Sequence, residues 1–193
     1  MRGEGWWRCA PASWLAAERD CCCGAAGRGV FAREPTLDVT KYRPEDHKNR
    51  VLEVSQLMDS TNPDLSRFRS RGGKLIILEH MADYAQSPYA GICYFENVRR
   101  MLGKAETEDF ARLYTAPGVD HVGSGAPANA DMLSVLVDWE EKGQAPGDLE
   151  VIEQKVEAPS FATVRALPLC RWPAWPHYSS GPVSVSSSFF CAP

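Results

Sequence analysis

The chain has 193 residues, a formal net charge of −4, 44% apolar residues and 24% charged residues. This length and composition are typical of one globular domain with a substantial core. The acidic balance argues against nucleic-acid binding, and no apolar run approaches the length of a membrane-spanning helix. We therefore expect a soluble protein with neither nucleic-acid nor membrane partners.

The first 36 residues differ in composition from the rest. They contain a Trp pair, three consecutive cysteines and a glycine-rich run, but no sustained hydrophobic period. No continuous apolar segment follows Arg2 or Arg8, so no signal peptide is recognised. We expect residues 1–36 to form an irregular tract that is either loose or foreign to the fold, and residues 37–193 to form the folded portion.

The first regular elements of the folded portion are two helices and a strand. Apolar residues at three- and four-residue spacing predict a helix over Glu45–Met58, with Val51, Val54 and Leu57/Met58 on one face. A short helical turn is expected within Asp64–Arg69. Leu75-Ile76-Ile77-Leu78 is a continuous apolar run, typical of a parallel strand that is buried on both faces.

A second helix and strand follow at the spacing of an alternating β-α-β-α chain. Ser87 as N-cap and Pro88 at the first helical position predict a helix that Gly103 ends. Phe110–Ala116 is the next predicted strand, and a further helix runs from Asn129 or Ala130 to Lys142. This alternation predicts a parallel α/β sheet.

The C-terminal part and the cysteines raise the question of disulfides. From Ala145 onward the chain is rich in proline and is expected to be mostly irregular, apart from a short strand at Phe161–Arg165. Because such a tail has few core-forming residues, we predict that a Cys170–Cys191 disulfide staples it in an oxidising compartment. Two free thiols are the alternative. Cys93, inside a helical pattern, is expected to be a small buried apolar residue.

Asp83 and His121 each follow one of the predicted parallel strands. Loops at the carboxyl ends of parallel strands line the ligand crevice of an open α/β sheet. Asp then His after successive strands is the order found in the back half of a Ser-Asp-His hydrolase of the α/β-hydrolase type. There the His takes a proton from the nucleophile and the Asp fixes its tautomer. Alternatively, Asp83 caps a turn and His121 joins a polar network in its loop.

Two other chemistries are weaker interpretations. A metal site is an alternative, with ligands drawn from Glu79, His80, Asp83, Asp120 and His121, but no H-E-x-x-H helix or Cys-pair spacing accompanies them. No nucleophile elbow G-x-S-x-G occurs in the sequence. Gly123-Ser124-Gly125 lacks a preceding strand and is predicted to be a flexible loop.

Several blocks, in their order and spacing, resemble one known family. They are Asn62–Leu75, Ala82-Asp83, Ser87-Pro88, Tyr94-Phe95, Ala116–His121, Val137–Trp139, Glu141–Gly143, Ala145-Pro146, Leu167–Cys170 and Ser188–Cys191. From about Leu37 to Cys191 the chain is similar to the C-terminal part of the tannase/feruloyl esterase family of α/β-hydrolases.

The resemblance carries several implications. The fold would be α/β, a truncated α/β-hydrolase with an irregular, disulfide-stapled tail. The activity would be that of a secreted, serine-type carboxylic ester hydrolase that acts on esters of aromatic acids. Asp83 and His121 would be the Asp and His of its triad. No cofactor is expected, because the family's calcium site lies in a lid that this chain lacks.

The chain also departs from the family pattern. The family's nucleophile serine lies in a Cys-Ser-x-Gly-Gly-Arg turn, and the similar run Cys23–Arg28 has glycine in its place. Val122 replaces the usual Cys after the catalytic His, and Glu79-His80 replaces a His-Gly pair. We therefore expect little or no turnover by the chain alone and marginal stability, with an aromatic ester as substrate if a front half completes the site. The alternative is a non-catalytic remnant that binds or complements a separate chain.

Overall fold

The computed structural model describes residues 33–34, 36–157 and 160–193. The irregular tract predicted for residues 1–36 lies almost wholly outside the described residues. Contacts divide the chain into two compact units, Met1–Asn62 and Pro63–Pro193. The predicted boundary between residues 36 and 37 remains a prediction.

The described part of the first unit is helical. Two 3-10 turns, Val39–Lys41 and Pro44–His47, precede helix α1, Lys48–Met58. Val54 is buried, whereas Leu57 and Met58 are 80% and 71% exposed. The predicted helix is present, and of the residues predicted to share one face Val54 is buried whereas Leu57 and Met58 are exposed. Periodicity shows which residues share a helix face, but a face is buried only where other residues pack on it.

The second unit combines a parallel strand pair with two antiparallel hairpins. Its elements are α2 (Ser66–Ser70), β1 (Leu75–His80), α3 (Tyr89–Leu102), α4 (Lys104–Glu108), β2 (Ala111–Ala116), α5 (Met132–Lys142), β3 (Leu149–Gln154), β4 (Thr163–Leu169), β5 (Trp175–Tyr178) and β6 (Phe189–Ala192). The alternating β-α-β-α order predicted from the sequence runs from β1 to α5.

Strands β1 and β2 pair in parallel, from Leu75 opposite Ala111 to His80 opposite Ala116. Side chains alternate between the two faces of a strand, so β1 contributes to two separate cores. Leu75 and Ile77 pack against a cluster that includes Phe95 of α3. The opposite face of the sheet contributes Tyr114 and Ala116 of β2 to a second cluster. The other buried members are Val119 of the following loop, Val151 of β3 and Leu169 of β4.

The helix ends have identifiable causes. Helix α3 begins at Tyr89, directly after Pro88, and ends at Gly103, which has φ = 98°. Asp131 caps α5 by accepting a 3.0 Å hydrogen bond from the Ser134 amide. No helix in the part of the chain that the structure describes is long and apolar enough to cross a membrane.

The C-terminal part is more regular than its composition indicates. The prediction of an irregular tail is wrong, because β3–β4 and β5–β6 form two antiparallel hairpins. The predicted short strand Phe161–Arg165 overlaps the first half of β4. The disulfide between Cys170 and Cys191 is confirmed, with Cα atoms 5.6 Å apart. Cys93 is also disulfide-bonded, which corrects the expectation of a simple buried apolar residue.

Candidate active site

The loops that carry Asp83 and His121 meet beyond the ends of the two parallel strands. Asp83 follows the last residue of β1 by three positions, and His121 follows the last residue of β2 by five. Two backbone hydrogen bonds join the segments that follow the two strands. Met81 N donates to Ala116 O (3.0 Å), and Ala82 N donates to Val119 O (2.9 Å). These bonds hold the two loops side by side.

Asp83 and His121 are in direct contact. His121 Nδ1 lies 3.0 Å from Asp83 Oδ2. The other oxygen, Asp83 Oδ1, accepts hydrogen bonds from the amides of Ala85 (2.8 Å) and Gln86 (2.9 Å). The hydrogen bond from His121 and these amides lower the pKa of Asp83 to about 2. Asp83 is therefore an ionised acceptor at neutral pH, which favours the His121 tautomer with the proton on Nδ1.

The loop around His121 is held by its own backbone. Asp120 Oδ1 accepts from the amides of Val122 (3.0 Å) and Ser124 (2.8 Å), and Asp120 N donates to Ser124 O (2.9 Å). Gly125 has φ = 92°, and a Cβ there would lie 2.5 Å from Gly118 O. The segment predicted as a flexible loop is thus closed by hydrogen bonds and needs glycine at this position.

His80 positions the same loop from the strand side. It is the last residue of β1, and its Nδ1 lies 2.9 Å from Asp120 O. Sequence reasoning considered His80 as a metal ligand and missed this role. The alternation of side chains along β1 could have indicated this role, because it places His80 on the same face of the strand as Ile76 and Leu78.

Glu79 lies on the other face of β1, towards α3. Its side chain is about half buried, and none of the described residues donates a hydrogen bond to its carboxyl. Burial, with a smaller contribution from the Asp83 charge, raises the pKa of Glu79 to about 7. The site therefore contains two carboxyl groups whose environments drive their pKa values in opposite directions.

The outer side of His121 faces solvent. Its side chain is 50% exposed, and among the described residues Nε2 has no hydrogen-bond partner. The ring of Tyr84 approaches that of His121 with centroids 6.0 Å apart and planes tilted by 59°. No described serine, including Ser124, is hydrogen-bonded to His121. The dyad can accept a proton at Nε2 from a hydroxyl nucleophile, but the described residues place none there.

The metal alternative finds no support in this geometry. Within residues 33–34, 36–157 and 160–193, no group of three or more His, Cys, Asp or Glu side chains converges on a point where an ion would bind. The carboxylate of Asp120 is turned towards its own loop amides. The described residues therefore also offer no fit for a calcium ion.

Parallel strands between packed helices, with an aspartate and a histidine joined beyond successive strand ends, define an α/β-hydrolase-like protein. A family model described as "Tannase and feruloyl esterase" matches residues 10–192, and the chain belongs to this family. The resemblance found in the sequence is thus confirmed.

Three known proteins illustrate the relationship. An uncharacterized esterase of Agrobacterium fabrum is 33% identical over 83% of this chain and 29% of its own length. A probable feruloyl esterase of Arthroderma benhamiae is 35% identical over 77% of this chain and 28% of its own. The crystal structure of feruloyl esterase B from Aspergillus oryzae matches 94% of this chain and 41% of its own, with a TM-score of 0.79 and 20% identity. The chain thus spans less than a third of the two curated relatives.

Proposed function

We propose that this chain provides the Asp and His of a serine-type carboxylic ester hydrolase. The observation that supports it is the 3.0 Å contact between His121 Nδ1 and Asp83 Oδ2, with the His121 side chain half exposed and no described hydrogen-bond partner at Nε2. Both residues lie beyond the carboxyl ends of parallel strands, where this class of fold places its catalytic groups. Asp83 orients the imidazole and His121 acts as the general base.

The proposed chemistry needs a serine from outside residues 37–193. The serine hydroxyl gives its proton to His121 Nε2 while its oxygen bonds to the ester carbonyl carbon. The imidazolium then returns the proton to the leaving alcohol as the carbon–oxygen bond breaks, which leaves an acyl-serine. Water then deacylates the serine: it gives a proton to Nε2 while its oxygen bonds to the acyl carbon. The bond from that carbon to the serine oxygen breaks, the carboxylic acid leaves, and the imidazolium returns the proton to the serine. Asp83 stays ionised throughout, because its low pKa disfavours protonation.

The proposed substrates are esters of aromatic acids, since the family comprises tannases and feruloyl esterases. The Cys170–Cys191 disulfide supports a secreted protein, because such bonds persist in oxidising compartments. Because none of the described serines is hydrogen-bonded to His121, we expect residues 37–193 alone to have little or no turnover. The alternative function is a non-catalytic partner that binds or complements a separate chain, and the lack of a described serine at His121 supports it as well.

The test is a reconstitution assay. Purified chain is mixed with the serine-bearing front portion of a family member, and hydrolysis of a chromogenic aryl ester is measured. We expect activity from the mixture, none from either component alone, and loss of that activity with His121→Ala. Arg165→Gln, on β4 and paired with Glu153, is the matched control and should not alter the rate. Activity that survives His121→Ala would overturn the proposed role of His121, and binding without turnover would favour the non-catalytic partner.

A further inference from the structure

A cavity lies in the second unit at the end of β2 remote from the Asp83–His121 pair. Its volume is about 330 Å³, and Ala111 and Leu113 of β2 are in its wall. Since strands rise by about 3.3 Å per residue, the two ends of β2 are roughly 16 Å apart. The volume falls within the range of roughly 300–1,000 Å³ that is usual for small-molecule sites. The cavity is thus large enough for a ligand and separate from the proposed catalytic groups.

Three arginines from three different segments line this cavity. Arg99 comes from α3, Arg112 from β2 and Arg171 from the segment after β4, and the acidic lining residues are Glu108 and Asp148. Asp148 Oδ1 contacts Arg171: it accepts a 2.9 Å hydrogen bond from the Arg171 backbone amide and lies 3.4 Å from the Arg171 Nε. The lining side chains thus carry three positive charges against two negative ones.

Arg112 is the cation that its surroundings neutralise least. None of the described carboxylates lies within 4.0 Å of its guanidinium. Nε donates to Pro146 O (3.1 Å), and Nη1 donates to Ala111 O (3.0 Å) and to Glu108 O, whereas Nη2 has no partner among the described residues. The guanidinium also stacks over Trp139 at 4.8 Å, and burial lowers its pKa. A partly desolvated guanidinium with a spare donor is suited to an anion.

The rest of the lining includes apolar and aromatic side chains. Among them are Phe95, Leu113 and Trp172. Trp172 is held in place because its Nε1 donates a 2.8 Å hydrogen bond to Glu96 Oε1. The same oxygen accepts a 2.6 Å hydrogen bond from Arg99 Nη1. The cavity thus combines a fixed aromatic wall with guanidinium groups, and this pattern suits a flat apolar molecule that ends in an anionic group.

We propose that this cavity, the Arg112 pocket, binds a small aryl carboxylate. The ring packs between Phe95 and Trp172, and the carboxylate accepts hydrogen bonds from Arg112 Nη2 and Arg171. Hydrolysis of an aromatic ester releases an acid of this class, so the pocket would take up product. That last step rests on the proposed function, whereas the binding itself does not depend on turnover.

Binding is measured by calorimetry with benzoate as the probe, on the purified chain and without any ester. Benzamide keeps the ring and removes the charge, whereas acetate keeps the charge and removes the ring. We expect benzoate to saturate one site and both analogues to bind at least about tenfold more weakly. Benzamide binding as tightly as benzoate would overturn the role of the arginines, acetate binding as tightly would overturn the aromatic wall, and no benzoate binding would overturn the site.

Three variants locate the site. Arg112→Gln should weaken benzoate binding by about tenfold or more, and Asp148→Asn should strengthen it several-fold by removing a competing carboxylate. Arg165→Gln removes an equal charge outside the pocket and should leave binding unchanged; an equal loss there would overturn the proposal. If Arg112→Gln does not fold, the site is tested by the loss of benzoate affinity in Arg171→Gln and by the increase in Asp148→Asn. Misfolding does not increase affinity, so the second result cannot arise from it. An unchanged benzoate affinity in Asp148→Asn would also contradict the proposed site.

Discussion

The carboxyl of Glu79 occupies space that exists because residue 91 is glycine. A Cβ built on Gly91, in the first turn of α3, would lie 1.6 Å from Glu79 Oε1. The sheet and the helix thus approach closely next to Asp83, and a titratable side chain fills the gap. Burial there raises the pKa of Glu79 to about 7, so the charge state of the site's surroundings changes near neutral pH.

The first prediction concerns stability and pH. In the unfolded chain Glu79 ionises near its ordinary pKa of 4.5, and in the folded chain near 7. Between these values the folded state binds more protons, so the free energy of unfolding falls as pH rises through this window and is level above it. Because the Glu79 side chain is only partly buried, solvent screens the effect and we expect a loss of only about 1–2 kcal/mol.

Replacing Glu79 by Gln should remove this dependence. Urea unfolding between about pH 5 and pH 8 should show a flatter profile and a gain of about 1–2 kcal/mol at the alkaline end. Glu150→Gln, on the exposed face of β3, is the control and should retain the slope of the parent chain. An unchanged slope in Glu79→Gln would assign the pH dependence to other groups.

The second prediction tests the contact between Glu79 and Gly91 directly. Glycine within a helix costs roughly 0.5–1 kcal/mol relative to alanine, so Gly91→Ala would ordinarily stabilise α3. Here the new Cβ forces Glu79 out of its position, and this gain should be absent. In a Glu79→Ala background the gain should return. A double-mutant cycle by urea unfolding should therefore give a coupling energy of at least about 0.5 kcal/mol, and additive effects would argue against the contact.

These contacts mark the limit of what the sequence predicts. The apolar run at Leu75–Leu78 and the turn residues after it are local signals, so β1, β2 and the strand-end positions of Asp83 and His121 follow from the chain alone. Whether Glu79 is buried depends on which helix residue lies opposite, and nothing in the run itself identifies Gly91. The His80–Asp120 contact likewise requires the register of β1 against β2.

The two C-terminal hairpins were not predicted from the sequence, because local patterns do not identify their strands. In β4, Pro168 lies opposite Glu150 of β3, and proline within a segment argues against a strand because it cannot donate to the ladder. The strands of each hairpin are also joined by loops of eight residues (155–162) and ten residues (179–188) rather than by a two-residue turn, so no tight-turn signal marks them. The Cys170–Cys191 bond was predicted from the proline-rich composition of the tail, and it is present although the tail forms strands.

The third prediction concerns the tautomer of His121. With Asp83 as an ionised acceptor, the neutral imidazole should carry its proton on Nδ1, which nitrogen-15 correlation spectra at alkaline pH report. Asp83→Asn offers an amide donor as well as an acceptor and should raise the population with the proton on Nε2. In a reconstituted enzyme the same change should lower kcat by roughly 10⁴-fold. Asp120→Asn keeps an oxygen acceptor for the loop amides, and its spectrum should match that of the parent; an identical spectrum for Asp83→Asn would contradict the orienting role.

The last prediction concerns the Cys170–Cys191 disulfide, which joins the end of β4 to β6. The two cysteines are separated by 21 positions, and cross-linking a loop of that length stabilises the folded state by about 3 kcal/mol in the chain-entropy description. The double variant Cys170→Ala/Cys191→Ala should lose about this much free energy of unfolding in urea. A variant is needed because a reductant would also cut the disulfide of Cys93. A loss below about 0.5 kcal/mol would mean that the β5–β6 hairpin is held by its packing rather than by the covalent link.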